Sequence, residues 1–156
     1  MKIKVIVDEK ITESEVLITC NKITPDILKV QEIVSNMIAS KVKLIFYKNN
    51  QEYYLNLDDI LFFETTGTSL YAHTIKNVYE VKYRLYELEK LLPFQFMRVS
   101  KSTILNVEQI FSLNRNITSS SLVEFYNTHK QVYVSRKYLK NLHDKIKEER
   151  YHEKNE

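Results

Sequence analysis

Two short stretches of the chain concentrate the side chains best able to grip a polyanion. In FQFMRVSKSTILN, Phe94 to Asn106, a polar island of Arg98, Ser100, Lys101, Ser102 and Thr103 lies between apolar anchors. A chain that needed only a turn there would use fewer donors. In QVYVSRKYLKNL, Gln131 to Leu142, an alternating strand runs directly into Ser135, Arg136 and Lys137 and then into a helix with Leu139, Leu142 and Ile146 at helical spacing. Ser135 is placed to cap that helix. Its free backbone N–H groups suit a phosphate, while Arg136 or Lys137 reaches further. Arginine and lysine are also the side chains that match the O6/N7 edge of guanine in a major groove.

Charge distribution supports the same region. A net charge of +3 argues nothing by itself, but residues 1–40 carry five Lys against six acids. Between Phe94 and Lys140 stand seven basic residues, Arg98, Lys101, Arg115, Lys130, Arg136, Lys137 and Lys140, against Glu108 and Glu124. Neutralising backbone phosphates releases counterions, so phosphate-binding surfaces are built this way. A solvated basic face has the same composition.

Other chemistry finds no support. His73, His129, His143 and His152 are scattered without ligand or triad spacing, and no Cys-x-x-Cys, H-E-x-x-H or glycine-rich phosphate loop occurs. Asp58 and Asp59 are neighbours and read as turn chemistry. Neither an enzyme nor a metal or cofactor is expected. Most of the 11 Tyr and seven Phe alternate inside apolar segments (Phe46, Tyr54, Phe62, Phe63, Tyr71, Tyr79, Phe125, Tyr133), which favours core packing over base stacking. Tyr138 is the exception, because it flanks Arg136 and Lys137. The lone Cys20 forms no internal disulfide, no apolar run reaches membrane length, and MKIKVIVDEK lacks a secretory stretch. The expected address is the cytoplasm, without membrane insertion.

The elements that must position these residues follow from periodicity. Lys2 to Val7 and Glu15 to Cys20 read as two strands. Thr24 and Pro25 start a helix whose Ile27, Val30, Val34, Met37 and Ile38 recur at spacings of three and four, to about Ala39. A boundary near Ser40 divides this β-β-α appendage (1–40) from a domain at 41–147. The latter consists of short apolar segments, VKLIFY, EYYLNL, ILFFET, LYAHTI, VYEV, IFSL, SLVEFY and QVYVS, broken by polar turns. That is a mainly β, mostly antiparallel domain with short helices. With Gly67 the only glycine, the turns fall to Asn49-Asn50, Asn77, Asn116 and Asn127. One helix is expected around Tyr83 to Leu92 and another from about Arg136, and the charged residues 148–156 are expected to fray.

In order, these motifs resemble the LytTR family of bacterial DNA-binding domains, over about Val42 to Ile146. The resemblance rests on ILFFE (Ile60 to Glu64) with a variable loop after it, the leucine helix RLYELEKLL, then Phe96, Arg98, Ser102, Ile104, Leu105, Asn106 and Ile110, and finally Val134, Ser135, Arg136 and Tyr138. It implies a transcriptional regulator with an elongated fold of small antiparallel sheets, whose loops enter successive major grooves of double-stranded DNA. The implied contacts are Thr68 and Ser69 in the first loop, Arg98, Ser100, Lys101 and Ser102 in the second, and Arg136, Lys137, Tyr138 and Lys140 in the third. Ser100 stands where the family usually has histidine, which shortens one donor and changes the expected base preference. Asn106 reads as structural. The resemblance further implies a homodimer on paired direct repeats. Residues 1–40 are too few for a receiver domain, so they are expected to complete the fold, form a dimer surface or take a regulatory protein partner. The competing reading is a protein-interaction module whose basic surface meets an acidic partner; RNA binding is weaker, since no aromatic cluster accompanies the basic residues.

Overall fold

Left-handed backbone occurs at two of the four turns expected to rest on asparagine, Asn49-Asn50 and Asn127, and at the one glycine; Asn77 and Asn116 do not adopt it. In the computed structural model, which describes residues 5–10, 12, 16–39, 42–116 and 119–153, Asn49 and Asn50 have φ of 51° and 61°, Gly67 62° and Asn127 58°. Positive φ at both central residues is the mirror-image turn that matches strand twist, and it joins β1 (Phe46–Lys48) to β2 (Gln51–Tyr53). Gly67 opens the two-residue turn between β3 (Phe62–Thr66) and β4 (Ser69–His73). The chain continues through β5 (Val78–Val81), α2 (Leu85–Leu91), β6 (Phe96–Arg98), β7 (Thr103–Asn106), β8 (Ile110–Asn114), β9 (Ser121–Phe125), β10 (Gln131–Val134) and α3 (Arg136–Glu153); α1 (Pro25–Ala39) precedes them all.

Antiparallel pairing gives a seven-stranded sheet, β2-β1-β5-β4-β3-β7-β6, and a three-stranded sheet, β10-β9-β8. Because side chains alternate across a sheet, β3 and β7 each serve two cores. Phe63 and Ile104 pack with Leu44, Phe46, Tyr79, Val81, Leu85 and Leu88 on the α2 side. Their neighbours Phe62 and Leu105 face Val99, Val123, Phe125, Val132, Val134 and Leu142, so the second core joins the small sheet and α3 to the large sheet. Asn106, fully buried, locks this junction. Its side-chain amide donates to the Ile60 carbonyl at 3.1 Å and its Oδ1 accepts the Glu108 N–H at 3.1 Å. That is the structural role expected of it.

Several expectations change. The described parts of the two anticipated N-terminal strands, residues 5–7 and 16–20, are not strands, and residues 2–4 and 15 lie outside the described residues. The first described strand is β1. Val5, Val7 and Leu17 are 80%, 88% and 80% exposed, and an isolated two-stranded ribbon with no apolar face to cover is marginal in water. The polar island at Phe94 to Asn106 forms a hairpin, β6 and β7, and β7 shows no alternation because both of its faces are buried. Tyr54 and Tyr133 are exposed rather than core residues. Tyr138, expected at the contact surface, is half-buried and packs on the second core. The last helix runs on to Glu153, past Ile146 where its apolar spacing ends. Among the described residues no helix is long and apolar enough to cross a membrane.

Candidate nucleic-acid interface

The loop from Val99 to Ser102 is built by the residues on either side of it. Val99 is fully buried in the second core and donates its N–H to the Thr103 carbonyl at 3.0 Å, which closes the β6–β7 turn. Ser100 Oγ accepts the Ser102 N–H at 3.2 Å. Arg98 spans the loop from beneath: Nε donates to the Ser100 carbonyl at 3.0 Å, Nη2 to the Lys101 carbonyl at 2.6 Å, and Nη1 to Glu89 of α2 at 2.9 Å. The guanidinium is therefore spent on shaping the loop, and its charge is balanced by Glu89. Lys101 is left exposed at the tip.

Two backbone hydrogen bonds tie this loop to the other candidate regions. Thr65, near the end of β3, donates its N–H to the Ser102 carbonyl at 2.9 Å. Ser135, between β10 and α3, donates to the Val99 carbonyl at 2.9 Å and accepts the Tyr138 N–H at 2.9 Å, which closes the first turn of α3. The first and third regions therefore attach to opposite ends of the central loop. Thr68 is exposed at the β3–β4 turn, and Ser69 is half-buried with Oγ donating to Glu80 at 3.0 Å. Arg136, Lys137 and Lys140 are exposed on the start of α3. Lys137 Nζ lies 5.6 Å from the centroid of the Tyr138 ring, so Tyr138 supports that lysine while filling the core edge.

The basic island does not survive as one patch. Lys130 is drawn inward, its Nζ donating to the carbonyls of Thr74 at 2.7 Å and Asn77 at 3.0 Å, where it fastens the β4–β5 turn to the small sheet. Burial, and secondarily the charge of Lys48, lower its pKa. With Arg98 also committed, the exposed cations near the joined loops are Lys101, Arg136, Lys137 and Lys140. Local spacing gave no hint of Lys82 and Arg84, which lie with Thr68 and Ser69 around a shallow depression between β5 and the start of α2. They add positive charge beside the one region whose own residues are neutral, but Lys82 Nζ also sits 4.0 Å over the Tyr47 ring.

Elsewhere on the large sheet, His73 stacks on Phe62 with ring centroids 4.1 Å apart. Desolvation, and then the charge of Lys130, push its pKa down to about 4. It is neutral near pH 7, so its 3.9 Å approach to Glu64 is no ion pair under those conditions. Among the described residues no cluster of His, Cys, Asp and Glu has the grouping to hold a metal ion.

Residues 50–147 match the family described as LytTr DNA-binding domain. Two proteins of Staphylococcus aureus, from strains MSSA476 and MW2, both named HTH-type transcriptional regulators, are 30% identical over 148 residues, 94% of this chain and 98% of theirs. A solved LytTr DNA-binding domain, of a putative methyl-accepting/DNA response regulator from Bacillus cereus, is similar in fold, with a TM-score of 0.62 at 23% identity over 68% of this chain and 97% of that one. In the present chain strands separate α1 from α2 and α2 from α3, so no two of its described helices form a helix-turn-helix.

Proposed function

From the premise that the chain belongs to the LytTR family of DNA-binding domains, we propose that it is a transcriptional regulator that reads double-stranded DNA through three joined loops rather than a recognition helix. The observation that supports this reading is the pair of backbone bonds from Thr65 to Ser102 and from Ser135 to Val99. They hold the β3–β4 turn, the β6–β7 loop and the start of α3 in fixed relation. An array of that kind suits successive major grooves, where base edges discriminate sequence. Lys101, Arg136 and Lys137 supply long donors for base edges. Lys140, with the Ser100 and Ser102 hydroxyls, contacts phosphate, and Thr68 and Ser69 make the shorter contacts of the first loop. Arg98 acts through the loop it shapes. Two copies occupy paired direct repeats in the cytoplasm, and the activity needs no catalytic group, metal or cofactor.

The test is selection from random double-stranded DNA at moderate salt, followed by sequencing. A sequence-reading regulator enriches a defined site, and alanine at Arg136 or Lys137 then costs roughly 1–3 kcal/mol and relaxes the preference at one position. Weak, salt-sensitive retention of every sequence would instead leave the basic surface to an acidic protein partner.

A further inference from the structure

One face of the seven-stranded sheet carries a row of residues that belongs to neither core. The registers set Glu52 of β2 opposite Tyr47 of β1, Tyr47 opposite Glu80 of β5, Glu80 opposite Tyr71 of β4, and Tyr71 opposite Glu64 of β3. Paired residues of an antiparallel sheet point the same way, so carboxylate and phenol alternate across five strands on one face. The other face of these strands holds Phe46, Val81, Leu70, Ala72 and Phe63 of the first core. The small sheet meets the face that bears the row through Phe62 and Leu105, at β3 and β7. Away from that junction Glu52 and Glu80 are exposed, the Glu64 side chain is 42% exposed, and both tyrosines are half-buried.

The charge of this row is unbalanced. Glu52 accepts the Tyr54 hydroxyl at 2.9 Å, Glu80 accepts the Ser69 hydroxyl at 3.0 Å, and the neighbour of Glu64 is the neutral His73. Among the described residues none of the three carboxylates lies within ion-pair distance of a lysine or arginine. One cation nevertheless already uses the row: Lys82 Nζ stands 4.0 Å from the centroid of the Tyr47 ring, the contact by which a tyrosine face holds an ammonium. Both halves of a cation site are therefore present, and they repeat. Neighbouring strands lie about 4.8 Å apart, so carboxylates on alternate strands recur at about 9.6 Å. A polyproline II helix advances about 9.3 Å in each three-residue turn, and aromatic-lined surfaces are the ones that take such segments. We propose that this face docks a basic, proline-rich segment of another protein, with Lys or Arg at every third residue meeting Glu52, Glu80 and Glu64 and the intervening prolines lying against Tyr47 and Tyr71. The flexible stem of lysine lets its ammonium follow the twist of the sheet. A β-strand fits worse, since its side chains on one face repeat at about 6.8 Å and fall out of step with the carboxylates. Thr66 and Ser69 are the next pair on the same face, so a docked segment lies beside the first of the three loops. Its consequence for DNA rests on the DNA-binding reading; the docking itself does not.

Fluorescence anisotropy at moderate salt tests it, with the full chain titrated into a labelled peptide of four Lys-Pro-Pro repeats. The control peptide has the same composition with its lysines contiguous, so that only the spacing of charge differs. The parent should bind the periodic peptide at least roughly tenfold more tightly, because linked contacts reinforce one another only when all can be made together. Glu52→Lys, on an exposed edge strand, should lose that preference and melt at the parent's temperature. Lys82→Ala, which clears the Tyr47 ring of its own cation, should tighten binding by about twofold to fivefold. If Glu52→Lys lowers the melting temperature, Glu52→Gln replaces it. Equal affinity for the two peptides would overturn the proposal, as would a Glu52 variant that binds like the parent or a parent that binds neither peptide at millimolar concentration. No DNA is present in this assay, so its failure and a failure of the DNA selection are read separately.

Discussion

The backbone N–H of Ser135 donates to the carbonyl oxygen of Val99 at 2.9 Å, which joins the first residue before α3 to the root of the β6–β7 loop. Val99 and Val134 are both fully buried in the second core, so the bond is anchored from both sides. Lys101 on one side and Arg136 and Lys137 on the other are thus tied through one backbone hydrogen bond.

Ser135→Pro removes that N–H. Loss of one internal hydrogen bond is expected to cost about 0.5–1.5 kcal/mol of stability, and binding to a selected site should fall further as the loop and helix lose register. Thermal melting and titration of the same variant separate the two effects; parent-like binding would show that the coupling is dispensable.

Arg98→Ala distinguishes shaping a loop from touching a phosphate. With three of its donors held by Ser100, Lys101 and Glu89, its loss should reduce affinity and base discrimination by roughly tenfold, a 1.4 kcal/mol effect, and leave the salt dependence nearly unchanged. Lys140→Ala should do the reverse, weakening all sequences alike and lowering the salt slope by about one. A salt slope reduced by one in the Arg98 variant would make Arg98 a phosphate contact.

Asn106→Ala strands the Ile60 carbonyl and the Glu108 N–H. Leaving the buried Ile60 carbonyl unpaired costs about 1–3 kcal/mol, so denaturant unfolding should move to distinctly lower midpoints, with any loss of DNA binding following from stability.

His73 gives the fold an acid limit. Its folded pKa of about 4 lies below the ordinary 6.5, so between these values the unfolded chain binds more protons. The stability linked to its neutral form is complete above pH 6.5 and is lost as pH falls toward 4. His73→Phe, which keeps a ring against Phe62, should flatten this part of the stability profile in urea titrations at stepped pH. An unchanged slope would remove His73 as its source.

Much of the candidate site was legible along the chain because its chemistry is local. The run from Val134 into Ser135, Arg136 and Lys137 states a strand end, a helix start and two donors in consecutive residues. The polar island at Ser100 to Thr103 stands out against its apolar flanks in the same way. Asparagine at the turns is local too, since a left-handed φ is a property of one residue. What depended on neighbours distant in sequence was harder to read. Lys130 and Arg98 counted as surface charge until the Thr74 and Asn77 carbonyls and Glu89 were found beside them. Tyr54 and Tyr133 alternate like core residues, but Tyr54 falls just past the end of β2 and Tyr133 lies on the exposed face of β10.

By itself the sequence determined the mainly β character of the domain, the turns, the start of α3 and which residues carry long cationic donors, because propensity and side-chain chemistry act over a few neighbouring positions. Only the tertiary structure decided which of those donors remain at the surface, that three separated loops are bonded into one array, and that the described residues of the strand-like N-terminal segments form no strand. Those outcomes rest on burial and on hydrogen bonds between residues tens of positions apart, and a sheet edge or a carbonyl acceptor exists for a side chain only after the chain has folded around it.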